Sequence, residues 1–271
     1  MCSTAHKHQN QNRGLPVIQH SSTIRNLSQG IASRMAGIDP SIPEERLPFT
    51  VRLVQNQSEL NKAVQIRHSA YARHVPSFAA TLKHPEPSDA QPGVVVMLAE
   101  SKLDGTPLGT MRIQTNQFSP LTMEQSIELP ESLRTRPLAE ATRLGVTGER
   151  AGSAVKTVLF KAFFLYCQMQ GIEWMVVSGR APIDRQYDRL LFDDVYPGLG
   201  FVPLRHVGNM PHRVMSFEVE SAEARWAAAR HPLFEFVFRT HHPDIDVGTA
   251  STDHFAHWHG ADRATIPLMA M

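Results

Sequence analysis

Two ionisable side chains, Glu140 and Arg143, stand inside the otherwise apolar run Leu138-Ala-Glu-Ala-Thr-Arg-Leu-Gly-Val146. Charges within a buried strand are costly unless they are paired or used, so both are candidates for chemistry as well as for a structural ion pair. A carboxylate partly desolvated in a strand has its pKa raised toward neutrality, which makes Glu140 a candidate general base, acting directly or through water. The alternative makes it the ion-pair partner of Arg143, Arg67 or Arg112. In strict pleat residues 140 and 143 point to opposite faces, so both serve one cleft only if the strand carries a bulge.

The same strand runs into Thr147-Gly-Glu-Arg-Ala-Gly-Ser-Ala154 and then into the apolar segment Val155 to Met169, a pattern of strand, tight turn and buried helix. Backbone N–H groups at such a helix start form a site for a phosphate or an oxyanion. Val146, Gly152, Ser153 and Ala154 are the residues that would make this turn.

The order strand, Arg/Gln-x-x-Gly-x-Gly/Ala turn and helix resembles the acyl-cofactor motif of the GNAT N-acyltransferase superfamily. Glu-x-x-Arg-Leu-x-Val from Glu140 to Val146 resembles the autoinducer (acyl-homoserine lactone) synthases and the long-chain N-acyl amino acid synthases, branches that take their acyl chain from acyl carrier protein. The resemblance implies transfer of a fatty acyl group from acyl-phosphopantetheine on the carrier to an amino-acid amine, with no permanent cofactor and no metal. It covers about residues 49–220. It also implies a bulge that splays the neighbouring strand and frees a backbone N–H for the thioester carbonyl.

Residue by residue, Arg67 and Tyr71 match Ile-Arg-x-x-x-Tyr on the first helix, Arg112 matches the Gly-x-Met-Arg strand, and Arg143 the Glu-x-x-Arg strand. Such arginines would clamp a carboxylate or order acidic groups. Tyr196-Pro-Gly-Leu-Gly-Phe201 resembles the turn whose tyrosine protonates the leaving thiolate, and Tyr187, in Tyr-Asp-Arg-Leu-Leu-Phe192, matches nearly as well.

Two features depart from the pattern. The run of acidic residues after the first helix is replaced by a His- and Pro-rich stretch from Pro76 to Pro87, which argues against a sulfonium donor and hence against lactone synthesis. In the phosphate turn Glu149 occupies the first position, where a CoA pyrophosphate calls for Gln or Arg; a carrier brings one phosphodiester and tolerates the anion better. Because carrier proteins are acidic, Arg150, Lys156 and Lys161, which flank the turn, are the expected docking residues. A CoA-dependent acetyltransferase, a lactone synthase and a non-catalytic acyl-binding protein of the same fold are the alternatives.

The elements that must position these residues follow from periodicity. Phe49 to Gln55 alternates as a strand; Ser58 and Glu59 open a helix whose apolar side includes Arg67 and Tyr71; residues 75–92 form a long loop able to fold over a substrate. A hairpin over Val94–Glu100 and Leu108–Gln114, an irregular stretch at 116–137, the focal strand and helix, a strand at Ile172–Ser178, a helix at Pro182–Val195 and strands at Phe201–Val207 and Arg213–Val219 complete the order β-α-β-β-β-α-β-α-β-β. The expected fold class is α/β (α+β), a mixed, mostly antiparallel GNAT-like sheet with helices on both faces. Residues 1–48 read as a polar arm in which Ile24, Leu27, Ile31 and Met35 could form a short helix, 49–220 as the acyltransferase domain, and 221–271 as a helical, His-rich extension.

Composition limits the partners. With 27 basic and 26 acidic residues the net charge is +1, so an anion must be held by a local patch, and a dedicated nucleic-acid protein is not expected. Cys2 and Cys167 are the only cysteines of 271 residues, which argues for a reducing, cytoplasmic setting. No apolar run approaches the roughly 18 residues of a membrane span. His254-x-x-His257-x-His259, near His241 and His242, has ligand-type residues without a Cys or acidic partner at metal-site spacing and reads as a surface tail.

Overall fold

The computed structural model describes residues 42–148 and 150–248. The proposed helix around Ile24–Met35, Glu149 and the His254–His259 cluster lie outside the described residues, as does the side chain of Arg150.

The chain begins with β1 (Phe49–Leu53) and α1 (Gln57–Ala72). The helix starts at Gln57, one residue before the Ser58 expected from the sequence, because the side chain of Asn56 accepts the N–H of Glu59 at 3.0 Å and caps it. Short helical turns at Pro76–Ala79, Ala80–Leu82 and Pro87–Ala90 lead to β2 (Val94–Ser101) and β3 (Pro107–Thr115). Then come β4 (Leu138–Val146), α2 (Arg150–Gln170), β5 (Trp174–Gly179), α3 (Asp184–Arg189), β6 (Asp193–Asp194), β7 (Val202–Leu204) and β8 (Met210–Glu218). The expected Pro182–Val195 helix is shortened to α3, because Leu191 takes φ +64° and turns the chain out of the helix into β6. Apart from the short helical turns and the two-residue strand β6, the order of strands and helices up to β8 is the one expected from the sequence.

The sheet runs β6-β8-β5-β4-β3-β2-β1-β9, with β7 paired to β8. It is antiparallel apart from β4 with β5 and the edge pair β1 with β9 (Ile245–Asp246). α2 covers one face, where Val155, Leu159, Phe163 and Cys167 pack on Ala139, Ala141, Met175 and Val177. The other face is covered by α1 through Leu60, Ala63 and Val64, and by the 116–137 segment through Leu121, Met123 and Leu129. Two-sided burial explains why β4 and β5 read as continuous apolar runs.

Residues after 220 join the same core as far as Gly248. Trp226, on α4 (Ala222–Ala228), is fully buried, stacks on Phe160 at 5.8 Å and donates from Nε1 to the Leu190 carbonyl at 3.1 Å. Among the described residues no helix is long and apolar enough to cross a membrane, and no group of three His, Cys, Asp or Glu side chains is placed to hold a metal.

Candidate active site

The bulge demanded by Glu140 and Arg143 is present. Across β3 and β4, Thr110 pairs with Gly145 and Arg112 with Thr142, so Met111 is opposed by two residues, Arg143 and Leu144. Arg143 absorbs the extra length with φ +55°, a left-handed conformation that costs a non-glycine residue of order 1 kcal/mol. Its side chain therefore turns to the face already occupied by Arg112, Glu140 and Thr142. Gly145 lets α1 press on this stretch: a Cβ there would lie 3.1 Å from both Arg67 Cα and Ala70 Cβ.

On that face three arginines converge on two carboxylates. Arg143 grips Glu86 with Nε to Oε2 and Nη2 to Oε1, both at 2.7 Å. Arg67, fully buried, grips Asp89 with Nη1 and Nη2 at 3.0 and 2.9 Å, and Arg112 Nη1 donates to Glu86 at 3.2 Å. Burial alone would raise the Glu86 pKa, but Arg143, then Arg112 and Arg67, hold it below the usual carboxylate range. The same fork outweighs burial on Arg143 and raises its pKa further. Pro87 sets the first residue of the short turn, and Asp89 accepts the Glu86 N–H at 2.8 Å, so both carboxylates are presented by one turn. The absence of acidic residues after the first helix, expected from the His- and Pro-rich stretch, is thus corrected: Glu86 and Asp89 supply them.

Glu140 is fully buried on the same face. Its Oε2 accepts the Met123 N–H at 3.2 Å, and Oε1 has no hydrogen-bond partner. Burial drives its pKa up to about 7 against the opposing pull of that N–H and of Arg112 and Arg143. It makes no direct ion pair with the arginines; the nearest ionisable nitrogen is His206 Nε2 at 3.9 Å from Oε1. Six buried side-chain polar atoms lack a partner among the described residues, and four of them, Arg67 Nε, Glu140 Oε1, Arg143 Nη1 and His206 Nδ1, belong to this cluster. Unpaired buried polar atoms gathered in one place mark a site held ready for a ligand or a proton.

Beside the cluster β4 and β5 part. They pair from Leu138 with Trp174 to Ala141 with Val177 and no farther, although β4 continues to Val146. The gap is a cleft of about 430 Å³ reaching from Thr142 and Arg143 to Val146 along one wall, and from Ser178 to Ile183 along the other. Tyr71, Lys156 and Tyr187 line it. So do Arg73, Arg143 and Arg180, whereas no described Asp or Glu does. Gly152 follows the last turn of the strand so closely that a Cβ on it would lie 2.0 Å from the Thr147 carbonyl oxygen. Ser153 and Ala154 are exposed at the start of α2.

Three expected roles change. The Tyr196 hydroxyl donates to the Glu128 carbonyl at 2.6 Å and its ring packs against the cluster containing Leu129, away from the cleft lining, so its leaving-group role does not fit its position. Tyr187 lines the cleft instead, its pKa raised by burial. Lys161 is 2% exposed, so it cannot meet a docking partner. Its ammonium donates to the Phe236 and Thr240 carbonyls at 2.7 and 2.5 Å, and burial lowers its pKa to about 8. Glu86, Asp89 and His206 were not singled out by the sequence; the first two show there only as an acidic pair beside two prolines, and a lone histidine carries no spacing signal.

No protein-family model matches the chain, and no curated protein matches it. Among solved structures it is similar to the CoA-dependent acyl-homoserine lactone synthase BjaI, in a structure with SAM and isopentyl-CoA, at TM-score 0.51 and 16% identity over 77% of this chain and 98% of that one. The fold is that of the GNAT acyltransferases. FeeM, an N-acyl amino acid synthase from uncultured soil microbes, is also similar, at TM-score 0.49 and 18% identity over 69% of this chain and 96% of that one.

Within this GNAT fold the splay leaves one edge of β4, from Thr142 to Val146, without a strand partner. Backbone N–H groups on such an edge are donors for a carbonyl oxygen, and the first turn of α2 offers more for a phosphate. The cleft therefore brings together an unpaired strand edge, a cationic wall, a tyrosine and, behind the wall, a carboxyl group whose pKa is raised to about 7.

Proposed function

We propose that the protein is an N-acyltransferase that moves a long-chain fatty acyl group from acyl carrier protein to the amine of an amino acid. The observation that carries this reading is the cleft itself: it opens where β4 and β5 separate, is lined by Arg73, Arg143, Lys156 and Arg180 without a described carboxylate, and ends at the glycine-tightened start of α2. A phosphate-bearing thioester fits a wall of that charge. Carrier protein as the donor rests on the anionic Glu149 in the turn, and a cytoplasmic location goes with it. Acyl-CoA is the alternative donor; one solved structure of this fold holds isopentyl-CoA.

The acceptor reading rests on charge. Arg67, Arg112 and Arg143 face Glu86 and Asp89, three cations against two anions, and the unpaired Arg143 Nη1 suits a substrate carboxylate. A second reading, acyl-homoserine lactone synthesis, regains ground because Glu86 and Asp89 are the acidic residues whose absence argued against a sulfonium donor. The two are separated by incubating the purified protein with acyl carrier protein thioester and either an amino-acid mixture or a sulfonium amino acid, with products identified by mass spectrometry. N-acyl amino acids in the first mixture support the reading; lactone in the second, with nothing in the first, replaces it.

A further inference from the structure

Glu140 does not reach the cleft. It is fully buried and absent from the cleft wall, whereas His206 is part of that wall and its Nε2 lies 3.9 Å from Glu140 Oε1. Neither Glu140 Oε1 nor the buried His206 Nδ1 has a hydrogen-bond partner. The imidazole is carried on the three-residue turn Arg205–Val207, which is tied down at every position. Arg143 Nη2 donates to the His206 carbonyl at 2.9 Å, the Arg205 N–H donates to Ser126 Oγ at 2.8 Å, and Val207 packs in the cluster with Leu121 and Met123. A turn anchored this firmly holds the imidazole between a buried carboxyl group and a substrate cleft, and with no hydrogen bond on Nδ1 the ring is placed to turn and move a proton between them.

We propose that His206 is the catalytic residue that meets the attacking amine and passes its proton to Glu140. The proposal rests on the acyltransferase reading. As the amine nitrogen bonds to the thioester carbonyl carbon, its N–H bond breaks and the proton goes to the lone pair of His206 Nε2. The ring then turns Nε2–H from the cleft toward Glu140 Oε1, 3.9 Å away in the resting structure, and delivers the proton there, so the imidazole ends neutral and the carboxylate ends protonated. The C–S bond breaks with its electron pair on the sulfur of the departing pantetheine.

The surroundings suit transit and not storage. The ring faces Glu140 and Arg143 of β4, Arg112 of β3, His212 of β8 and Glu86 of the loop after α1. Burial first, then Arg143, His212 and Arg112, hold its pKa down to about 3, so a proton on the imidazole is unstable and moves on. Glu140, at about 7, retains it.

The test has an arm that needs no substrate. In ¹⁵N NMR of the imidazole rings, His206 stays neutral and its nitrogen shifts follow the ionisation of Glu140 with an inflection near pH 7, which disappears in Glu140→Gln. In turnover, His206→Gln lowers kcat by about 10²-fold or more with the donor KM within about threefold, and added imidazole restores at least about tenfold of the loss in His206→Ala but nothing in Glu140→Gln. An inflection that is missing or survives in Glu140→Gln, or a His206→Gln enzyme within about threefold of wild-type kcat, overturns the proposal. A wild-type protein that transfers no acyl group while showing the inflection removes the acyltransferase reading, and the proton step with it.

Discussion

Arg143 and Glu86 meet fork to fork, with two parallel hydrogen bonds of 2.7 Å between residues 57 positions apart in the chain. The pair fastens the bulge of β4 to the loop after α1, and Arg112 and Arg67 add to the same carboxylate. Glu86→Gln keeps the shape and leaves three buried or nearly buried guanidinium groups facing one carboxylate. Denaturant unfolding should show a loss of about 3 kcal/mol or more, the cost of an uncompensated buried charge. A loss below about 0.5 kcal/mol would mean that the arginines are solvated by other means.

Gly152 is fixed by contact and not by dihedral angle. A Cβ 2.0 Å from the Thr147 carbonyl oxygen cannot be accommodated without moving the start of α2. Gly152→Ala should cost about 2 to 3 kcal/mol and raise the KM of the acyl donor, because the first-turn N–H groups move with the helix. Unchanged KM and stability would show that the donor does not use this turn.

The Glu140 carboxyl has a folded-state pKa of about 7 against 4.5 for the free group, a raised value. Its contribution to stability is complete below the unfolded value and is lost as pH rises through the folded one. Glu140→Gln has no such loss, so its stability relative to wild type should increase by roughly 3 kcal/mol between pH 4.5 and pH 8. Urea titrations across that window test this. A difference that does not vary with pH would place the carboxylate in an ion pair after all.

Lys156 and Lys161 separate docking from structure. Lys156 lines the cleft and donates to Gln186 Oε1 at 2.6 Å, so Lys156→Glu should raise the donor KM by about tenfold and weaken its dependence on salt. Lys161→Met should leave that KM alone and lower stability by about 1 to 3 kcal/mol, since the Phe236 and Thr240 carbonyls lose their donor. The opposite outcome would move the donor's path to the far end of α2.

The sequence carried the order of elements and the focal strand because a charge inside an apolar run is expensive wherever it occurs, and Glu140 and Arg143 are visible for that reason alone. The place of the bulge was not visible: register belongs to two strands together, and nothing in β4 alone says that Met111 will face two residues. Glu86 and Asp89 sit in a proline-bounded turn with no period, and their partners are 19 to 57 residues away. Lys161 was read as flanking the phosphate turn, yet eleven residues of helix from Arg150 carry it about 16 Å up the axis, to the segment around Phe236 and Thr240. Tyr196 and Tyr187 were separated by the end of α3, where the left-handed Leu191 sends the chain into β6 and takes Tyr196 to Glu128.

The most direct test of the account is acyl transfer by the purified protein, with a long-chain acyl thioester on acyl carrier protein or on CoA, a mixture of amino acids as acceptor, and mass spectrometry of the products. The account predicts N-acyl amino acids, faster from the carrier than from CoA, with kcat reduced about 10²- to 10⁴-fold by Glu140→Gln. Hydrolysis alone, or no amide from either donor with any amine, would contradict it.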